Sequence, residues 1–304
     1  MTSTPPNLAA SVMSRLKNEA RKTSEPFNIV LDRYVGLRLM YRLSTSQYGD
    51  KFYLKGATMF LVWNGSTHRP TRDIDLLGLV ERDEKELHDV FQEICRIDCP
   101  EDGVSFDANS IVAERIREEQ SYGGIRIRLT GFIGSAKIPI QVDVGYGDAV
   151  TPDAPDIELP RILPNVPPPK MKGYPAETVI SEKLQAMVQL GLGNSRMKDL
   201  YDVAMLAGTM QFDRRTLAIA IRATFDRRST LIPKVMPAAL SNEFLKDQQV
   251  GERWKSFVQK NTVTGPYSEL KSVQQQIRDL VIPVMKDAQT KSYRDAKWQN
   301  GEWR

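Results

Sequence analysis

Apolar positions recur at helical spacing through the first fifty residues: Leu8, Val12 and Leu16, then, after Pro26, Ile29, Val30, Leu37, Met40 and Tyr41. The spacing predicts two helices. The period then shortens to two. "KFYLKG" reads as a short strand ending at Gly56, and "ATMFLVW" after it is a helical run. "RDIDLLGLV" reads as a second strand. "DEKELHDVFQEICRI" follows as an amphipathic helix with Leu87, Val90, Phe91 and Ile94 on its apolar stripe. Three strand-like runs come next: "GVSFDANSIVAERI", "GGIRIRLTGFI" and "KIPIQVDVGYG". The Gly-Ser pair at 134–135 between the last two is a hairpin signal. A strand, a helix, a strand and then successive hairpin strands predict a mixed α/β (α+β) sheet with helices packed on it.

Residues 151–177 hold eight of the eighteen prolines, including "PNVPPPK". Proline lacks the N–H that a helix interior or a central strand needs, so this stretch reads as a linker. Beyond it the pattern is helical. The domains expected are therefore N-terminal helices over 1–50, a core over 51–150, the linker over 151–177 and a helical C-terminal domain over 178–304.

Composition narrows the class. Apolar content of 41% and charged content of 26% are those of a soluble globular chain. No run approaches membrane-spanning length, and "MTSTPPNLAASVMSRLKNEARKT" has no apolar signal-peptide core, so a cytoplasmic protein without membrane contact is expected. The two cysteines, Cys95 and Cys99, supply neither a disulfide framework nor a metal-ligand set. A net charge of +4 permits an anionic partner without requiring one. Lys17, Arg21, Lys22, Arg33, Arg38 and Arg42 recur along the first two helices, and a solvated face explains them adequately.

Asp73 and Asp75 stand two apart in a strand pattern, so they project to one face while Ile74 and Leu76 enter the core. Carboxylates so placed repel unless a cation lies between them. A hard divalent ion such as Mg²⁺ suits such oxygens, and a substrate phosphate commonly completes its shell. The alternative is a strand edge whose aspartates meet solvent or Arg72. In "IPIQVDVGYG", Asp143 is a lone acid on the face opposite Ile138, Ile140, Val142 and Val144, where a third ligand could approach. Three carboxylates are the minimal set for two-metal phosphoryl transfer. Gly56 closes a strand and opens a helix, an arrangement that offers backbone N–H groups to a phosphate, with Lys55 beside it.

"PAETVISEKLQAMVQLGLG" reads as a helix with Ile180, Leu184, Met187 and Val188 inward and Lys183 on the shoulder, where a lysine often snorkels. In "SRMKDLYDVAML", Asp199 borders the stripe, Asp202 is its i+3 neighbour, and Arg196–Asp199 could be a surface pair.

Four blocks in order, "LKGATMFLVW…HRPTRDIDLL", "IQVDVG", "SEKLQAMVQLG" and "RMKDLYDVAML", resemble the AbiEii/AbiGii toxin family, nucleotidyltransferase-like toxins of bacterial toxin–antitoxin systems. The resemblance spans residues 52 to about 207. It implies a polymerase-β-like nucleotidyltransferase core with helical N-terminal and C-terminal parts. It also implies Mg²⁺ or Mn²⁺, a nucleoside triphosphate substrate, an RNA acceptor such as the 3′ end of tRNA, and a cognate antitoxin. Carried onto this chain, Asp73 and Asp75 would be the metal-binding pair, while Asp143 is the third ligand on its strand position alone, since the third carboxylate varies among relatives. Gly56 is the phosphate-loop glycine, Lys183 meets nucleotide phosphates, and Asp199 is the essential acid of the last motif. Lys55, Arg69, Thr71, Arg196, Lys198 and Asp202 occupy the flanking nucleotide-binding positions. The loop reads Gly56-Ala57, where the superfamily more often has Gly-Gly or Gly-Ser. An RNA acceptor would need a basic track, for which Lys170, Lys172, Arg214, Arg215, Arg227, Arg228 and Lys234 are candidates. The alternatives are a non-catalytic module binding antitoxin or RNA, and a phosphotransferase acting on protein.

Overall fold

A computed structural model of the chain describes residues 6–65, 73–116 and 123–304. By its contacts the chain divides into two units. The first runs to Gly147 and includes Pro155–Tyr174; the second comprises Asp148–Ala154 and Pro175–Arg304.

In the first unit the expected N-terminal helices are α1 (Pro6–Thr23) and α2 (Phe27–Thr45). Strand β1 (Phe52–Lys55) passes through a 3-10 turn at Gly56–Thr58 into the short helix α3 (Met59–Asn64). Strand β2 (Ile74–Gly78) is followed by α4 (Glu84–Arg96), whose N-terminus is capped by Asp83 accepting from the Glu86 N–H at 2.8 Å. Then come β3 (Ser105–Arg115), β4 (Ile125–Ile133) and β5 (Ala136–Tyr146), and finally the short strands β6 (Asp156–Glu158) and β7 (Lys170–Gly173). Together they form one seven-stranded sheet in the order β3-β4-β5-β2-β1-β7-β6. It is mixed, since β2–β5 and β1–β7 are parallel and the other pairs antiparallel.

The alternation read from the sequence decides which side of this sheet is dry. Ile138, Ile140, Val142 and Val144 of β5 are buried, as are Ile74 and Leu76 of β2. They share one core with Leu16 of α1, Val35 of α2 and Phe91 of α4. Each such side chain contributes roughly 1.5–3 kcal/mol on burial.

Two expectations change here. The proline-rich stretch is more than a connection, because β6 and β7 lie inside it and extend the sheet. Proline is tolerated there because the prolines lie outside these two strands, whose own N–H groups stay free to pair. The second change concerns the helical arginines. Arg38 and Arg42 are not on a solvated face but are only 2% exposed. Both reach Asp102, which is itself fully buried: Arg38 Nε donates to Oδ2 at 2.9 Å and Arg42 Nη1 at 2.7 Å. Arg42 also donates to the carbonyls of Ile97 and Val104, and Arg38 to that of Pro167. The last bond anchors the proline-rich stretch to α2.

The second unit is helical as expected: α5 (Ala176–Leu190), α6 (Met197–Thr209), α7 (Arg214–Arg227), α8 (Asn242–Lys246), α9 (Gln248–Asn261) and α10 (Leu270–Thr290). A small sheet, β8 (Phe212–Asp213), β9 (Lys297–Gln299) and β10 (Glu302–Trp303), was not anticipated. Its strands are two or three residues long, too short to show a period. Trp298 of β9 secures it, its indole N–H donating to the Ala207 carbonyl at 2.7 Å. No described helix is long and apolar enough to cross a membrane.

Asp102→Ala should leave two guanidinium groups buried without a counter-charge. Breaking such a pair costs about 3–5 kcal/mol, so urea denaturation should show a midpoint far below that of the wild-type protein. An unchanged midpoint would mean that water reaches the two arginines.

Candidate active site

The first unit holds Gly56, Asp73 and Asp75, the residues expected to form a phosphate loop and a metal-binding pair. Gly56 lies at φ +69°, in the left-handed region that glycine enters without strain. A Cβ at this position would lie 1.9 Å from Asp75 Oδ2, so glycine is required twice over, once for the backbone and once for the carboxylate beside it. Thus what Gly56 supplies is room for Asp75. The helix it opens, α3, has only six residues, so its macrodipole is weaker than the sequence suggested.

Asp75 belongs to β2, while Asp73 precedes the strand and is exposed. It lines a small cavity with Asp32, Arg33, Thr58 and Leu61.

The sheet register then aligns four charges in one row. Lys55 on β1 is opposite Asp75 on β2, Asp75 is opposite Asp143 on β5, and Asp143 is opposite Arg126 on β4. Residues directly opposite share a face, about 4.8 Å apart from strand to strand. The sequence-expected carboxylates Asp75 and Asp143 are therefore immediate neighbours, flanked by a cation on each side. Lys55 Nζ lies 5.2 Å from the centre of the Tyr174 ring. Arg126 grips Asp143 with both prongs, Nε to Oδ1 and Nη2 to Oδ2, each at 2.8 Å.

That pairing involves the carboxylate expected as the third metal ligand. Asp143 is held by an arginine, and among the described residues no group of three His, Cys, Asp or Glu side chains is disposed to hold a metal. Asp73 and Asp75, two residues apart, offer hard carboxylate oxygens, a donor type that suits a divalent ion such as Mg²⁺. Arg69 and Thr71 lie outside the described residues.

The second unit holds the other cluster. Lys183 of α5 is not a snorkelling stem. Its ammonium donates to Asp199 Oδ1 at 2.7 Å and to Asp202 Oδ2 at 2.8 Å, both on α6 and both buried. Burial alone would lower the Lys183 pKa, but the charges and hydrogen bonds of Asp199 and Asp202 outweigh it and leave the group above its ordinary value. A raised folded value means that its contribution to stability is complete below the unfolded value near 10.4. It fades only as pH climbs through the higher folded one. Asp199 Oδ2 lies 2.6 Å from Arg196 Nε yet accepts no hydrogen bond, so Arg196–Asp199 is an ion pair with a buried acidic partner rather than a surface pair. Lys198 points outward and is exposed.

Of the candidate basic track, Arg214 is committed to Asp287 at 2.7 Å. Arg228 reaches Asp148 at 3.2 Å and donates to the side-chain Oε1 of Gln185 at 2.9 Å. Lys170 and Lys172 pair with Glu158 and Asp156 across β6–β7. Arg215, Arg227 and Lys234 remain exposed. The residue that sequence reading passed over is Arg126. Its signal was the hairpin turn at 134–135: counting back from it along both strands sets Arg126 opposite Asp143.

Removing the ammonium with Lys183→Ala takes a buried counter-charge away from both Asp199 and Asp202 and should cost about 3–5 kcal/mol. Chemical denaturation should show this directly, so any loss of activity in that variant has to be read against its stability.

Comparison with known proteins adds the following. The profile of the family described as "Nucleotidyl transferase AbiEii toxin, Type IV TA system" matches residues 38–278. The crystal structure of JHP933 from Helicobacter pylori is 15% identical, with 87% of this chain and 94% of that one covered and a TM-score of 0.48. A putative nucleotidyltransferase from H. pylori is 14% identical, with 87% and 98% covered and a TM-score of 0.47. Comparison with curated proteins gives no match.

Proposed function

Because the chain belongs to the AbiEii nucleotidyl transferase toxin family of toxin–antitoxin systems, we propose that it transfers a nucleotide from a nucleoside triphosphate to an RNA acceptor, the 3′ end of tRNA, in the cytoplasm. Transfer there would block aminoacylation and so stop translation and growth, until a cognate antitoxin protein relieves it. The observation that carries this reading is the fit of Asp75 against Gly56 in a row of paired charges, where only a residue without a Cβ leaves the carboxylate its place.

Asp73 and Asp75 are the residues that would hold Mg²⁺ or Mn²⁺. When bound, such an ion supplies charge stabilisation to the triphosphate and acidifies the attacking hydroxyl. The chain's own groups do the rest. Gly56 and Lys55 border the triphosphate. Lys183, held charged by Asp199 and Asp202, is the cation proposed for the leaving pyrophosphate. Asp199, whose Oδ2 accepts no hydrogen bond, is proposed to take the proton of the 3′-hydroxyl, with Arg196 fixing its orientation. Lys198 and Asp202, like Arg69 and Thr71, keep the nucleotide-binding roles implied by their motif positions. Catalysis of this kind is mostly positioning and electrostatics.

Incubation with total tRNA and each α-labelled triphosphate should leave label on the tRNA. Asp75→Asn should reduce that transfer on the order of 10²-fold, about 2.7 kcal/mol of barrier, with the fold intact by circular dichroism. Label passing to protein only from the γ position would instead establish phosphotransfer. No transfer from either position, with RNA still bound, would establish a binding module.

A further inference from the structure

We propose that Arg126 is a positioning residue that serves Asp143 as a built-in counter-ion and competes with a divalent cation for that carboxylate. This rests on the reading of Asp73 and Asp75 as metal ligands given above.

The geometry supports it in three steps. First, Asp75 and Asp143 are cross-strand partners on one face, and like charges so placed repel. A cation has to be present at all times, whether or not metal is bound. Second, Arg126 meets that need with a fork-on-fork grip on both oxygens of Asp143, the strongest geometry a side chain can offer a carboxylate. Each oxygen of Asp143 thus already accepts a charge-assisted hydrogen bond from Arg126. The hydrogen bonds to Asp143 are also the chief reason that the guanidinium is held above its ordinary value. Third, the pair can be exchanged. Arg126 is 29% exposed and Asp143 20%, so water or a phosphate can take over the guanidinium without a buried charge being stranded. Arginine does not lose its proton, so the carboxylate is released only by displacement.

The consequence is an order of events. A lone divalent ion has to compete with Arg126 and binds weakly. A divalent ion arriving with a triphosphate gives the displaced guanidinium an anion to pair with, so metal and nucleotide favour each other. The apparent metal affinity of the protein alone is lowered by the fraction of molecules in which Arg126 holds Asp143.

Direct titration of the full chain with Mn²⁺ alone tests this, with the free-ion electron paramagnetic resonance signal as the readout. Arg126→Ala should bind Mn²⁺ about tenfold more tightly than wild type, within the range usual for coupled sites. Arg126→Lys, which keeps the charge but loses the fork, should fall between the two. The gain should vanish in the double variant Arg126→Ala/Asp143→Asn. Arg126→Gln serves in place of the alanine variant should that one unfold. An affinity for Mn²⁺ in Arg126→Ala within twofold of wild type, or a gain that survives Asp143→Asn, overturns the proposal. Asp75→Asn separates the two readings. Unchanged Mn²⁺ binding in that variant overturns the metal role of Asp75, and the Arg126 comparison is then read on Asp143 alone.

Discussion

Two carboxylates on adjacent parallel strands, Asp75 and Asp143, set the terms for everything around them. Side by side on one face they repel, and the sheet answers with a cation at either end of the row, Lys55 and Arg126. The backbone answers as well. Asp75 fits only because position 56 carries no side chain, and the chain leaves β1 through a left-handed residue that glycine adopts freely. The dry side of the same strands, with Ile74, Leu76, Val142 and Val144, holds the register that makes the row possible. A slip of one residue would turn the acids inward and the isoleucines out. Hydrophobic burial thus enforces an electrostatic arrangement that would not form by itself.

How much of this could be read beforehand follows from the range of the interactions. Alternation within a strand and the turn at 134–135 are local, and both were legible; the hairpin register even contained the Arg126–Asp143 pair, for a reader who counted along both strands. The parallel register of β2 with β5 was not legible. No short turn links those strands, and α4, β3 and β4 intervene in the chain. The same holds for Arg38 and Arg42. Their helical spacing looked like a solvated face because the partner, Asp102, lies some sixty residues away. The strands β6 and β7 were hidden for a different reason. The prolines around them are a strong local signal against regular structure, but that signal applies only to the positions prolines occupy.

The second unit shows the same contrast in Lys183. A lysine on the shoulder of an apolar stripe ordinarily carries its charge to water. Here two acids on α6 meet it instead, and both are buried beside their helix's hydrophobic stripe. Helical spacing makes Asp199 and Asp202 an i, i+3 pair that faces one way, but it does not bring Lys183, on another helix, to them. Nor could spacing give the energetic coupling. Burial pushes the ammonium toward neutrality, and the two carboxylates hold it charged.

Three ion clusters in this chain can be ranked by what each leaves unsatisfied. Asp102 is buried without exposure, with two arginines and the Val104 N–H upon it, although Arg38 Nη2 is left buried without a hydrogen-bond partner. Arg126–Asp143 is fully paired but partly open to solvent, so its partners can be exchanged for others of like charge. Lys183–Asp199–Asp202 is buried like the first, yet Asp199 keeps one oxygen without a hydrogen bond, although a guanidinium stands 2.6 Å from it. A buried carboxylate oxygen left so is costly unless something else uses it. Burial sets the cost in each case: Arg38 Nη2 and Asp199 Oδ2 are out of reach of water, whereas the partly exposed Arg126–Asp143 pair can turn to water if either partner is lost.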